Sequence, residues 1–218
     1  MTESQRKGSR KGVLRVGLTG PMASGKSEVL RRFARLGVPV FSADDAVHRL
    51  YAPGGAAVED IARLCPEARD ERGGIDRKAL ASKVAEDPSL LSEIEAIVHP
   101  LVAEAREAFF KEAQATGIPY AVAEIPLLFE TGGERDMDVT LAVVADEETC
   151  RRRALARPGM TEEKWAALTR RHLPAEEKAK RADIVIRNTG TLADLDAAVR
   201  RAHERLLALA AGEDAEGT

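Results

Sequence analysis

Two cysteines in 218 residues, Cys65 and Cys150, are too few and too far apart for a disulfide framework or a cysteine metal site. They read as thiols of an intracellular protein. Charge of one sign is not in excess either. Lys and Arg number 33 and Asp and Glu 36, a formal net charge of -3. Nothing global draws the chain toward nucleic acid or an anionic membrane, so any anion must be caught by a local site. No apolar run approaches the roughly 18 residues of a membrane span. The basic start, MTESQRKGSRKG, has no apolar segment behind it that could serve as a signal peptide. It reads as a frayed tail over 1–12, and the acidic end over 210–218 reads the same way. The expectation is a cytoplasmic protein without nucleic-acid or membrane partners. There is no internal repeat and no low-complexity tract.

What is present is ordinary globular material, 44% hydrophobic and 32% charged, long enough for one domain with an insertion. Short apolar runs at 13–19, 38–41, 120–125, 139–145 and 183–186 predict strands. Helical patterns fill 26–36, much of 44–117, 146–157 and the stretch from Thr191 onward. In the last of these, Leu195, Val199, Ala202, Leu206 and Leu209 form one apolar stripe. Asp87-Pro88 reads as a helix start, His99-Pro100 as a helix break and restart, and Thr161 as a cap. Strands alternating with helices imply a parallel sheet in an α/β sandwich. The helix-rich stretch over about 52–117 is too long for one crossover and reads as an insertion flanked by a core of 13–51 and 118–209.

The segment Gly20-Pro21-Met22-Ala23-Ser24-Gly25-Lys26-Ser27 fits G-x-x-x-x-G-K-[ST], following a predicted strand and opening a predicted helix. Such a turn aims backbone N–H groups at phosphate oxygens. Gly25 allows close approach, Lys26 places a charge on the outer phosphates, and the Ser27 hydroxyl suits Mg²⁺. No N-K-x-D segment is present to read a guanine, and the size suits a small-molecule kinase. Asp44, just past the second apolar run, lies where open α/β sheets gather ligands. It reads either as a helix cap or as the group that meets an acceptor hydroxyl. Arg151, Arg152, Arg153 and Arg157 precede a Pro-Gly turn and a second helix, a pattern that can close as a lid over about 151–181. Arg153 and Arg157 share a helix face at that spacing. Glu124 reads equally as a metal helper through water and as a buried pair partner. His48, His172 and His203 read as helix-surface residues, and Trp165 as core.

The loop, Val38-Pro-Val-Phe-Ser-Ala-Asp44, Pro53-Gly54, His99-Pro100-Leu101-Val102, Ile125-Pro126-Leu127-Leu128-Phe129-Glu130, Arg153 with Arg157, and Ala182-Asp183 with Asn188 stand in an order that resembles the dephospho-CoA kinases over about residues 14–208. The resemblance implies a P-loop nucleoside-kinase-like three-layer sandwich with a central parallel sheet, an inserted helical substrate region and a helical lid. It implies transfer of the ATP γ-phosphoryl to the ribose 3′-hydroxyl of dephospho-CoA, with Mg²⁺. By position, Asp44 matches the catalytic aspartate and Arg157 a lid arginine on the phosphates. Gly20, Ala23, Ser24, Gly25, Lys26, Ser27, Glu28, Arg153 and Asn188 fall on the nucleotide side, and His99, Pro100 and Leu101 near the acceptor. Departures exist. Ser42 stands where the family has a second aspartate, and Pro21, Met22, Ala23 and Glu28 alter the usual loop. His48 and His172 replace a common arginine and a common glutamine. The loop also resembles that of tRNA isopentenyltransferases, but those predict a longer, more basic chain. A kinase for another small hydroxyl acceptor and a non-catalytic nucleotide sensor are the other readings.

Overall fold

The computed structural model describes residues 12–213. The expected tails fall largely outside this range, although the last helix continues to Ala211, past the expected boundary at 210. Strands β1 (Leu14–Thr19), β2 (Val40–Phe41), β3 (Tyr120–Glu124), β4 (Val139–Val144) and β5 (Ile184–Arg187) form one sheet in the order β2-β3-β1-β4-β5. β1 runs parallel to both β3 and β4, and β4 runs parallel to β5. The helices are α1 (Lys26–Arg35), α2 (Ala43–Tyr51), α3 (Val58–Leu64), α4 (Arg77–Glu86), α5 (Ser89–Ala115), α6 (Glu147–Leu155), α7 (Glu162–Thr169), α8 (Ala175–Arg181) and α9 (Leu192–Ala211).

β1, β3 and β4 are nearly continuous runs of buried residues. A parallel strand covered on both faces needs that pattern. The period of two then assigns the layers. Leu14, Val16 and Leu18 of β1 pack with Leu141 and Val143 of β4 and with Val29, Phe33, Leu195, Val199 and Leu206 of α1 and α9. The alternate residues face the other layer, where a Cβ on Gly17 would lie 2.8 Å from Met137 and 3.1 Å from Leu128. Helix α8 packs on β4 in this part of the molecule. The result is the expected sandwich about a parallel sheet.

Packing divides the chain into two compact units, one comprising the described residues up to Val40 together with those from Phe110, the other Phe41–Phe109. Helix α2 therefore belongs with the helical unit. Its own core joins Tyr51, Val58, Ile61, Leu80, Ile94 and Val98. Here one expectation fails. α5 runs unbroken from Ser89 to Ala115 with Pro100 inside it. The proline deprives the carbonyl of Ala96 of its helical donor, at a cost of about 3 kcal/mol. However, Leu90, Ile94, Ile97 and Val98 before it and Leu101 and Val102 after it all pack into or against this core. Each such side chain contributes about 1.5–3 kcal/mol when fully buried, so the stripe outweighs the missing bond.

Local signals were more reliable at helix starts. Thr161 accepts from the Lys164 N–H at 3.3 Å, and Thr191 forms a full capping box with Asp194. Both cysteines are buried and free.

Candidate active site

The phosphate loop leaves the carboxyl end of the central strand β1, and its glycines are fixed by close approach. A Cβ on Gly20 would lie 2.1 Å from the Val143 carbonyl, and one on Gly25 2.2 Å from the Asn188 side-chain nitrogen. Gly25 also holds φ at 102°, and Ala23 adopts φ 59° without being glycine. Gly25 is the N-cap of α1, so no side chain caps that helix. The first N–H groups of a helix have no partner within it, and here they open toward the loop.

The lysine of the motif is 9% exposed, and its Nζ donates to the carbonyls of Gly20 at 3.1 Å and Pro21 at 2.9 Å. Burial pushes its pKa down, Glu124 opposes that shift, and the charges of Lys178 and Arg157 add to it. The loop thus holds crowded, partly dehydrated positive charge that an incoming phosphate would neutralise. Asn188 is buried, and its Nδ2 donates to the Ser24 carbonyl at 2.8 Å, so this amide ties β5's end to the loop. Arg153 donates in turn to the Asn188 carbonyl at 3.2 Å. The Ser24 hydroxyl and one Arg153 nitrogen are buried with no hydrogen-bond partner among the described residues. Ser27 is exposed at the start of α1, and Glu28 pairs with Arg31 and Arg32.

Arg157 does not share a helix face with Arg153. α6 stops at Leu155, and Arg157 sits exposed in the turn that follows, its N–H donating to the Ala154 carbonyl at 2.9 Å. Pro158-Gly159 ends the helix sooner than spacing alone suggests. Arg151, by contrast, is exposed and paired with Glu162, as a solvated basic face requires. Trp165 of α7 is core. It clusters with Ala23, Ala145, Cys150 and Ala154, with Met22 packed alongside, so the altered loop residues seat α6 and α7.

One further side chain, Lys178, carried no sequence signal. Lys178 on α8 is wholly buried, and its ammonium donates to Pro126 O at 2.9 Å, Thr19 Oγ1 at 3.3 Å and Glu130 at 2.8 Å. Glu130 also accepts the Leu173 N–H at 2.7 Å. Burial pushes the Glu130 carboxyl up, but the bonds from Lys178 and Leu173 outweigh it and hold the group below its ordinary range. The pair joins α8 to the end of β1 under the loop. His172 is not a helix-surface residue. It lies between α7 and α8, half-buried, and burial together with the charges of Lys178 and Lys26 pushes it down, toward the neutral ring. His203, on α9, hydrogen-bonds the buried Tyr120 hydroxyl.

The helical unit holds the acceptor-side candidates. Ser42 is the N-cap of α2 and accepts the Asp45 N–H at 3.2 Å. Asp44 is thereby relieved of the capping role that was its alternative reading. It sits exposed in the first turn. Serine and aspartate cap equally well, so Ser42 replaces the family's aspartate without loss to the helix. His99 and Pro100 are exposed on α5, while Leu101 packs against the core of this unit.

The family model for dephospho-CoA kinase matches residues 14–194. The chain belongs to the dephospho-CoA kinase family. A dephospho-CoA kinase of Jannaschia sp. (strain CCS1) is 49% identical over 177 residues, 81% of this chain and 89% of that one. A dephospho-CoA kinase of Brucella abortus (strain 2308) is 44% identical over 180 residues, 83% and 88% of the two chains. Among solved structures, TT1252 from Thermus thermophilus superposes with a TM-score of 0.71 at 39% identity, covering 89% of this chain and 98% of the other.

Proposed function

We infer that this enzyme phosphorylates dephospho-CoA with ATP, the last step of coenzyme A synthesis and the reaction of its family. The observation that carries the chemistry is Asp44. Ser42 caps α2, so the Asp44 carboxylate is left exposed to meet a hydroxyl. It orients the acceptor's ribose 3′-hydroxyl and takes its proton.

On the nucleotide side, Lys26 exchanges its carbonyl partners for phosphate oxygens. Backbone N–H groups of Ala23, Ser24, Gly25, Lys26, Ser27 and Glu28 line the phosphate chain beside Gly20. Arg157, whose charge reaches Lys26, supports the moving phosphoryl from the lid at 151–181. Arg153 and Asn188 brace the loop and border the nucleotide. His99, Pro100 and Leu101 contribute the acceptor side of the helical unit. The donor set fits Mg²⁺ brought by the nucleotide. Among the described residues no cluster of three or more acidic, His or Cys side chains could hold a metal alone. Mg²⁺ characteristically takes substrate phosphates plus one or two protein oxygens, and the exposed Ser27 hydroxyl supplies one. When bound, it offsets phosphate charge. Among the described residues no helix is long and apolar enough to cross a membrane, and the reading places the enzyme in the cytoplasm with small-molecule partners only.

The test is ADP release from Mg-ATP with and without dephospho-CoA, in the unaltered enzyme and in Asp44→Asn. Release dependent on dephospho-CoA is expected, falling about 10²–10⁴-fold in the variant with ATP binding retained. Near-normal turnover in Asp44→Asn would reject the assignment.

A further inference from the structure

Thr19 and Lys178 are each 0% exposed, and they meet beneath the phosphate loop. Thr19 ends β1, and Gly20 of the loop follows it. One residue earlier, the Leu18 carbonyl accepts the Ile125 N–H at 2.8 Å. Beyond that rung, side chains join the two strand ends. The Thr19 hydroxyl donates to the carbonyl of Pro126, just past β3, at 3.1 Å. Lys178 Nζ donates to the same two oxygens, to Thr19 at 3.3 Å and to Pro126 at 2.9 Å. Glu130 takes the third ammonium proton at 2.8 Å. An ammonium has three donors, so all are used. On the other side of the loop entry, Gly20 lies so close to β4 that a Cβ would stand 2.1 Å from the Val143 carbonyl. The chain entering the loop is therefore held from both strands that flank β1.

Stability does not require an ammonium here. Apolar side chains of similar volume fill such a site as well or better, because a buried ion pair regains little beyond its desolvation cost. What the ammonium supplies is three bonds in fixed directions. The next residue along the chain depends on them. The Gly20 carbonyl accepts Lys26 Nζ at 3.1 Å, so a displaced Thr19 displaces the group that poises the lysine of the loop. The charges follow the same path. Burial presses Lys26 toward its neutral form, Glu124 opposes that, and Lys178 adds to it. A phosphate arriving at the loop relieves the repulsion between the two lysines.

We propose that Lys178 is a positioning residue for the nucleotide: acting through Thr19, it fixes the entry of the phosphate loop so that Lys26 and the loop N–H groups meet the phosphate chain in place. Lys178 does not touch the nucleotide, and Glu130 holds the ammonium on its target. The role rests on the nucleotide site of the function inferred above and not on the identity of the acceptor.

The test is the Kd of the full chain for Mg-ATP, by titration calorimetry, in Thr19→Val and Thr19→Ser. Valine keeps the shape of threonine without its hydroxyl, and the Pro126 carbonyl retains Lys178 as its donor. A misplaced loop forfeits the equivalent of one charge-assisted bond to phosphate, so Kd should rise at least about tenfold in Thr19→Val. It should stay within about threefold of normal in Thr19→Ser, which restores the hydroxyl. Lys178→Met/Glu130→Leu buries no charge and should weaken Mg-ATP to the same degree. Adding Thr19→Val to that variant should change Kd by less than about twofold, because both changes cut one path. Unfolded protein lowers the number of sites titrated and leaves the Kd of the remainder unchanged, so the readout separates positioning from stability. The KM for dephospho-CoA should stay within about twofold of normal in every variant. A Kd within about threefold of normal in Thr19→Val, or additive losses in the combined variant, would overturn the role. Turnover is not needed for that comparison. A chain that binds Mg-ATP and fails to phosphorylate dephospho-CoA would overturn the function inferred above and not this role.

Discussion

The Lys178–Glu130 pair offers the most demanding stability test, because its two members fail separately and survive jointly. The side chains are 0% and 12% exposed, and they lie 2.8 Å apart. Replacing Lys178 by Met leaves the Glu130 charge buried with only the Leu173 N–H for company. Breaking a buried pair in this way costs about 3–5 kcal/mol. Replacing Glu130 by Leu strands the Lys178 ammonium on the neutral oxygens of Thr19 and Pro126, at a similar cost. The double variant buries no charge. The Pro126 carbonyl keeps the Thr19 hydroxyl as a donor at 3.1 Å, so the one group left unsatisfied is the Leu173 N–H, at about 1–3 kcal/mol. The loss in the double variant should therefore be about 1–3 kcal/mol against about 6–10 for the two single changes added, a coupling of about 3 kcal/mol or more. The assay is urea unfolding followed by the fluorescence of the single tryptophan, Trp165, which is 7% exposed beside the loop. If the single losses add in the double variant to within about 0.5 kcal/mol, the two groups do not act as a pair and the reasoning fails.

Three further outcomes follow from the same geometry. Pro100→Ala restores a donor to α5 and should stabilise the protein by about 1–3 kcal/mol in the same urea assay; destabilisation would show that the helix depends on the proline. Ala23→Gly relieves about 1–2 kcal/mol of left-handed strain but gives up about 0.8 kcal/mol of methyl burial and a similar amount of backbone entropy, so stability should change by less than about 0.5 kcal/mol. A loss above about 1.5 kcal/mol would mean the strain is absent. Because the Glu130 carboxyl is held below its ordinary range, it contributes stability that is fully present above the unfolded pKa, 4.5, and is lost as pH falls through the folded one. Urea midpoints taken on acidification should therefore fall below about pH 4.5 in the unaltered enzyme and fall less steeply in Glu130→Gln; equal slopes would remove the pair from the acid response.

The sequence by itself determined whatever depends on neighbours a few residues apart. The strand, glycine loop and helix around Gly20–Ser27 form one local unit, and the caps at Thr161 and Thr191 lie within a turn of the N–H groups they satisfy. The ordered family segments added the reaction, because motif spacing records a chemistry that composition does not.

Tertiary structure alone decided the rest. Pro100 looks like a break until the apolar side chains on both sides of it are seen packed in one core. Arg153 and Arg157 share a face only if α6 continues, and it ends at Leu155. Nothing near Lys178 in AEEKAKR marks it as buried. Its partner is 48 residues away, and Asn188 reaches Ser24 across 164. His172 reads as a surface residue because the lysines that depress its pKa come from other elements. A periodicity reports which way a side chain points along its own helix or strand. What it meets there depends on strand order and on distant segments, and those are fixed only when the sheet closes over its two layers.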